Sequence, residues 1–154
     1  MTSGDRIVWA HFSLRQFRLL HQITKEIPNL DDAVVSAAGC PEPVARRLLE
    51  VVRRGRADIA EHRFVRIGFD DAGTPELRRG IATHAHGDSL EIDSGTTSAA
   101  AVAWSRVGRA VAEALGTPEF DHRTGGTVEQ AAEVLLILDE LTGAAAGDSD
   151  QPAD

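Results

Sequence analysis

The stretch "DDAVVSAAGCPEPVARRLLEVVRRG" (residues 31–55) decides the expected fold of the N-terminal half of this chain. It predicts two helices joined by a tight turn. The first helix begins with two aspartates, whose charges favour a helix N-terminus, and ends at Gly39, which takes a positive φ at little cost. The second helix opens with a Pro-Glu-Pro entry, where proline's missing N–H costs nothing, and it ends at Gly55.

The elements on either side extend this pair of helices. "RIVWAHF" predicts a short strand, and Ser13 can cap a helix through "LRQFRLLHQITKEI", whose apolar residues recur at three-to-four spacing until Pro28. After the second helix of the pair, "ADIAEHRFVRIGF" predicts a weak strand, a turn and a stronger strand in which Val65, Ile67 and Phe69 alternate. Three short helices followed by a β-hairpin is the order of elements in a winged helix-turn-helix.

Residues 13–69 resemble the DNA-binding domain of the IclR family of bacterial regulators. The matching residues are Gly39, Pro41, Ala45, Arg47, Leu48, Leu49, Gly55 and the wing-like "HRFVRIG". The chain departs from the family at Val35, where alanine is usual, and at Glu42, which opens the would-be recognition helix. Family members also carry a ligand-binding domain longer than the remaining 85 residues, so the resemblance covers a shared module only.

The resemblance implies a set of arginines that contact duplex DNA. Arginine contacts to phosphate fix the register of a protein on DNA, and bidentate arginine–guanine contacts give specificity. The predicted DNA-binding residues are Arg46, Arg47, Arg53 and Arg54 on the third helix and Arg63 and Arg66 on the wing. In the alternative interpretation, the pairs Arg46–Glu50 and Glu50–Arg54 are ordinary surface ion pairs at i, i+4 spacing.

Charge is distributed unevenly along the chain. The formal net charge is −8, which by itself argues against nucleic-acid binding. Residues 1–67, however, hold 11 Lys and Arg against 8 Asp and Glu, whereas residues 68–154 hold 5 against 16. Such asymmetry predicts different partners for the two halves.

The second half predicts a hairpin and two helices. "GIATHAHGDSLEID" (residues 80–93) alternates on either side of a tight turn at "HGD", and "SGTTSAAAVAWSRVGRAVAEALG" predicts a long helix. "TPEFDHRTGG" is predicted to be a loop. The last helix opens with a capping box from Thr127 to Gln130 and is apolar on more than one face. Such a helix lies deep in a core or forms half of a dimer interface.

Two histidines of this hairpin suggest a metal site. His84, His86 and Asp88 form an H-x-H-x-D pattern that resembles the metal-binding core of the metallo-β-lactamase family. Residues two apart on a strand share a face, and His122 is a candidate third ligand. Ser89, however, stands where that family has a histidine, and the 65 residues after it are too few for its fold. A solvated hairpin face is the preferred interpretation, and no cofactor is predicted.

These features predict an α+β protein. Residues 1–70 are expected to form the winged-helix-like unit, residues 71–143 the hairpin with two helices, and residues 144–154 a disordered tail. Whether the two units share one core is left open.

Three functions are compatible with the sequence. The first is a cytoplasmic DNA-binding regulator of transcription that forms a homodimer through the helix at 127–142. The second is a non-enzymatic protein-interaction module, such as an immunity or adaptor protein, with an acidic surface. The third is a small metal-dependent enzyme. The first residues show no secretory signal, no stretch reaches the roughly 18 apolar residues of a membrane span, and the single Cys40 excludes an internal disulfide.

Overall fold

Helices and strands follow one another in the order β1-α1-α2-α3-β2-β3-β4-α4-α5-α6, which is an α+β fold. The computed structural model describes residues 7–71 and 81–150, with side chains as far as Leu141. The strands are β1 Ile7–Ser13, β2 Phe64–Asp70, β3 Ala82–His86 and β4 Ser89–Thr97. The helices are α1 Leu14–Lys25, α2 Asp32–Ala37, α3 Glu42–Asp58, α4 Ser98–Leu115, α5 Thr117–Thr124 and α6 Val128–Asp150. A single 3₁₀ turn, Ile27–Asn29, connects α1 to α2.

The four strands form one mixed sheet in the order β1-β2-β4-β3. β2 lies antiparallel to β1 and parallel to β4, and β4 lies antiparallel to β3. The parallel pair is possible because the connection from β2 to β4 passes through β3 at the far edge of the sheet. Strands from both halves of the sequence therefore belong to the same sheet.

One face of the sheet is covered by helices. Val65, Ile67 and Phe69 of β2 alternate onto this face, as the sequence predicts, and all three are fully buried. The Phe69 ring meets Trp104 of α4 edge to face, with ring centroids 6.2 Å apart. The core is one cluster that takes apolar side chains from both halves of the chain, including Phe17 and Leu138.

The last helix lies in this core. Four apolar side chains of α6 are at most 1% exposed: Ala131, Val134, Leu135 and Leu138. Leu135 packs so closely on Gly108 of α4 that a Cβ there would lie 2.7 Å from its methyl carbon. The apolar faces of α6 are therefore used within the single chain, and Leu136 is the exposed large apolar residue among its described side chains.

Several local predictions are confirmed. Ser13 caps α1 in a capping box, since its hydroxyl accepts from the Gln16 N–H and the Gln16 side chain accepts from the Ser13 N–H. Thr127 and Gln130 form the same reciprocal pair at the start of α6. The predicted hairpin is present as β3 and β4, with Gly87 at a φ of 58° in the turn.

The winged-helix arrangement predicted for residues 1–70 is not confirmed. α3 runs through the residues expected to begin the wing and ends at Asp58, so the first strand of the predicted hairpin is absent. β2 is instead a central strand between β1 and β4. α2 packs against α4 across the helix layer, and an open cleft separates it from α3.

Two further stretches differ from expectation. The predicted loop at residues 117–126 contains α5, because Pro118 lies in the first turn, where it favours a helix, and Gly125 closes the helix in the left-handed conformation at a φ of 78°. The tail predicted to be disordered, residues 144–154, is helical as far as Asp150, and its last four residues lie outside the described part of the chain. Among the described residues, no helix is long and apolar enough to cross a membrane.

Candidate nucleic-acid interface

Cationic side chains of α1 and α3 converge where the two helices pack side by side. We define the basic surface as His21 and Lys25 of α1 together with Arg53, Arg54 and Arg56 of α3. The positive charges of Arg56, Lys25 and Arg53 all act on the His21 ring, which places these four groups in one neighbourhood. Arg53 and Arg54 also line a shallow depression of about 440 Å³ that reaches Ile81.

The helical repeat explains why these residues share a surface. α3 buries apolar residues at three-to-four spacing, and the intervening Arg53, Arg54 and Arg56 are exposed. Gly55 lies between them and faces the core, where a Cβ would lie 2.6 Å from the Phe17 ring of α1. The missing side chain lets α1 and α3 approach closely, and that approach brings the cations of the two helices together.

His21 reports the positive field of the basic surface. Burial lowers the pKa of this imidazole from its usual value, and the charges of Arg56, Lys25 and Arg53 lower it further. The Nδ1 atom is buried and has no hydrogen-bond partner among the described residues. An anion bound here would offset the positive charges that disfavour the imidazolium form.

The cations of the basic surface have no ion-pair partner among the described residues, although Glu50, which pairs with Arg47, lines the same depression as Arg53 and Arg54. Lys25, Arg53, Arg54 and Arg56 form no ion pair within the described parts of the chain. Other arginines in the protein are paired, for example Arg109 with Asp139 at 2.9 Å and Arg123 with Glu26 at 3.1 Å. The unpaired cations are therefore concentrated on α1 and α3.

The structure divides the six predicted arginines among different surfaces. Arg53 and Arg54 lie on the basic surface. Arg46 pairs with Glu42 at 2.5 Å, and Arg47 pairs with Glu50 at 3.5 Å, so the alternative pairs predicted between Glu50 and residues 46 and 54 do not form.

The two arginines predicted for the wing do not lie on a wing. Arg63 is exposed just before β2, where its N–H donates to the Asp88 carbonyl. Arg66 lies on the sheet face opposite the helices, where it pairs with Glu91 and its guanidinium stands 5.0 Å from the Trp9 ring centroid. Arg66 does not share a surface with Arg53, because the sheet separates it from the helix layer.

Sequence reasoning missed three members of the basic surface: His21, Lys25 and Arg56. The signal was available on α1, where positions 21 and 25 are four apart and lie beside the buried face of that helix. A winged helix-turn-helix contacts DNA through its third helix and wing, so that interpretation does not include α1.

The three candidate metal ligands are not brought together. His84 and His86 are exposed on the edge strand β3, on the face opposite the helices, because His84 stands opposite Glu91 in register. His122 is exposed on α5, within the helix layer. Among the described residues, no group of three or more His, Cys, Asp or Glu is placed to hold a metal ion. The geometry gives no support to the metal-dependent enzyme.

A second charged surface lies on α6. We define the acidic stripe as Glu129, Glu133, Leu136 and Glu140, which follow one another at three- and four-residue spacing and are all exposed. Leu136 keeps 49% of its surface in solvent. A single exposed leucine is ordinary on a protein surface, whereas the three carboxylates around it would suit a basic partner.

Comparisons of this chain with protein-family models, with curated proteins and with solved structures found no match.

Proposed function

We propose that this protein is a non-enzymatic DNA-binding protein that contacts the phosphates of duplex DNA through the basic surface. The observation that carries the proposal is the group of unpaired cations around His21. Phosphate contacts from Lys and Arg supply essentially all of the affinity for DNA that does not depend on sequence. A cytoplasmic regulator of transcription is the class of protein that this activity would fit, and the IclR-type resemblance of residues 13–69 agrees with that class.

The proposal assigns most contacts to helix surfaces rather than to a wing. Lys25, Arg53, Arg54 and Arg56 would each approach a phosphate, and His21 would gain a proton more readily beside the bound anion. Four neutralised phosphates correspond to a slope of about −3.6 in log affinity against log salt, from about 0.9 for each phosphate. The affinity is therefore expected to fall steeply between low and physiological salt.

Fluorescence polarisation with a labelled mixed-sequence duplex tests this proposal. At low salt we expect binding, and Arg53→Gln and Arg56→Gln should each weaken it and reduce the salt slope by about 1. Arg109→Gln is the matched control because it removes the same charge from a paired arginine on α4. Absence of affinity for duplex at low salt, or an equal loss in the Arg109→Gln control, would contradict the proposal.

Formation of a homodimer stays a prediction, because less apolar surface of α6 is available for an interface than the sequence suggested. Most large apolar side chains of α6 are used in the core, so a homodimer through residues 127–142 would have to use the acidic stripe. A two-fold axis places the same patch of both copies in contact, which would bring their carboxylates together. Light scattering coupled to size exclusion gives the oligomeric state directly.

The second candidate is a protein-interaction module that binds a basic partner through the acidic stripe. The specific observation in its favour is the exposed Leu136 with Glu129, Glu133 and Glu140 around it. This function predicts a salt-sensitive protein complex that is lost in Glu133→Lys and retained in Arg53→Gln. DNA binding predicts the reverse pattern, so the same two variants separate the two functions.

A further inference from the structure

An open cleft lies between α2 and the first half of α3. Its volume is about 610 Å³. The end of α1 and the 3₁₀ turn close its base. Ligand pockets in proteins commonly have volumes of about 300–1,000 Å³, so the cleft is large enough for a small molecule.

The cleft exists because α2 does not fill the space beside α3. α2 has only six residues and contributes no fully buried side chain. α3 is held on the sheet and on α1 by its own apolar stripe and does not follow α2. Apolar side chains that would meet in a close helix crossing, among them Val35 and Leu49, therefore remain only partly covered.

The lining of the cleft is apolar at its base and charged at its rim. Ile27, Leu30, Val35, Cys40 and Leu49 form the apolar part. The one hydroxyl at the base that is fully buried, that of Thr24, already donates to the Leu20 carbonyl at 2.6 Å and accepts from the Trp104 indole at 3.0 Å. A ligand would therefore contact mainly hydrocarbon at depth and would meet polar groups only near the mouth.

The charges at the rim decide which head group suits the cleft. Arg46 lies at the mouth but is held by Glu42 at 2.5 Å. Asp32 adds a second carboxylate from α2, and its described surroundings provide no ion pair for it. The rim thus holds two carboxylates and one guanidinium, which disfavours an anionic ligand and suits a neutral or singly cationic one.

We propose that this cleft binds a small, mainly apolar molecule that is neutral or carries one positive charge. The hydrocarbon body would lie against Val35, Cys40 and Leu49, and the head group would face Asp32. The proposal does not depend on DNA binding, because the cleft and the basic surface share α3 but no residue.

The two tryptophans of the chain provide a direct test on the intact protein. The Trp104 indole N–H donates a hydrogen bond to the hydroxyl of Thr24, which lines the cleft. Trp9 lies on the opposite face of the sheet. In ¹H–¹⁵N spectra, titration with the neutral probe 1-aminoanthracene should shift the Trp104 indole signal to saturation and leave the Trp9 signal in place. Unchanged signals from both indoles, or a shift of Trp9 alone, would overturn the proposal.

Variants separate binding in the cleft from adsorption elsewhere. Ala45→Phe fills the cleft from α3 and should weaken 1-aminoanthracene binding by about tenfold or more, equivalent to about 1.4 kcal/mol. Ala132→Phe is the matched control because Ala132 is an exposed helical alanine on α6. Equal binding by both variants, with circular dichroism showing both folded, would place the probe outside the cleft.

The charge proposed for the ligand is tested with a pair of oppositely charged probes. 1-Naphthylmethylamine and 1-naphthoate share a ring system and carry opposite charges at neutral pH. The amine should bind more tightly to the wild type, and Asp32→Lys should reverse this order. Tighter binding of naphthoate by the wild type would contradict the proposed ligand class.

Discussion

His21 is the side chain at which the charge of the basic surface can be measured. Burial is the largest cause of its lowered pKa, and Arg56, Lys25 and Arg53 add to it. Arg56→Gln should therefore raise the pKa of His21 towards its ordinary value without restoring it, since burial remains. Titration of the imidazole protons by NMR measures the change, with Arg106→Gln on α4 as the control.

The lowered pKa of His21 makes the stability of the protein depend on pH. Because the folded-state pKa of His21 lies below the unfolded value, the unfolded chain takes up this proton first as the pH falls. The protein therefore loses stability as the pH falls through about 6.5 towards the folded-state pKa of His21. The Arg56→Gln variant should lose less stability over the same range of pH. An unchanged His21 pKa in Arg56→Gln would mean that the two groups are not neighbours, and the basic surface would then lack its main support.

Cys40 is a second residue whose chemistry is set by burial. The thiol is 1% exposed at the base of the cleft, and desolvation raises its pKa to about 11. Since the thiolate is the reactive form, Cys40 should react with a disulfide reagent at pH 8 orders of magnitude more slowly in the folded protein than in denaturant. Rapid reaction of the folded protein at a rate independent of denaturant would contradict this prediction. The stability that the buried thiol contributes is present below about pH 9 and is lost as the pH rises towards 11.

At the scale of elements, Gly55 shows how packing overrides helix propensity. Glycine in a helix interior is less favourable than alanine by about 1 kcal/mol, so an alanine at an open position would stabilise α3. A Cβ at residue 55, however, would lie 2.6 Å from the Phe17 ring and 2.7 Å from an Ile92 methyl carbon. Overpacking of this kind costs about 1–3 kcal/mol, which exceeds the gain in propensity.

We therefore expect Gly55→Ala to lower the free energy of unfolding, as measured by urea denaturation. It should also weaken DNA binding, because α1 and α3 would be pushed apart. Ala132→Gly, at an exposed position of α6, should lower stability through propensity alone and leave the binding of DNA unchanged. A Gly55→Ala variant that is more stable than the wild type would show that the two helices do not meet closely.

The elements that the sequence predicts correctly are those with local signals. The cap at Ser13, the alternation in β2 and the turn at Gly87 each depend on a few adjacent residues, and each is confirmed. α5 was missed because its eight residues carry only a weak apolar pattern, with two buried side chains. The wing was mispredicted because an alternating strand does not reveal its partner, and pairing of β2 with β4 is a long-range choice.

The sequence likewise predicts the part of the candidate site that depends on local patterns, and not the part that depends on long-range packing. Charge counts along the chain located the basic half, and the helical repeat placed Arg53 and Arg54 on one exposed side of α3. That Arg66 would point away from them follows only from the placement of β2 within the sheet. The convergence of His21 with Arg56 requires the packing of two helices, which no local pattern specifies.

At the scale of the whole molecule, the sheet crosses the boundary predicted between the two units. β2 belongs to the first 70 residues, yet one of its two partners is β4, which begins at Ser89. Ile92 of β4 contacts the Gly55 position of α3, and Leu135 of α6 contacts Gly108. The core that supports α1 and α3 is therefore built in large part by residues that follow the boundary.

This arrangement predicts that residues 1–71 do not fold alone. Without β4 the fragment would expose one edge of β2, and without α4 and α6 the apolar residues Phe12, Ile67 and Phe69 would lose much of their cover. Burial of each such side chain contributes about 1.5–3 kcal/mol, so the loss of cover on these three is comparable with the roughly 5–15 kcal/mol by which a domain is stable. ¹H–¹⁵N spectra of the fragment should show little dispersion, and urea should produce no cooperative transition.

A fragment that unfolds cooperatively and binds duplex DNA would instead establish residues 1–71 as an independent module. Residues 1–71 would then fold and form the basic surface without the rest of the chain, as the winged-helix hypothesis requires.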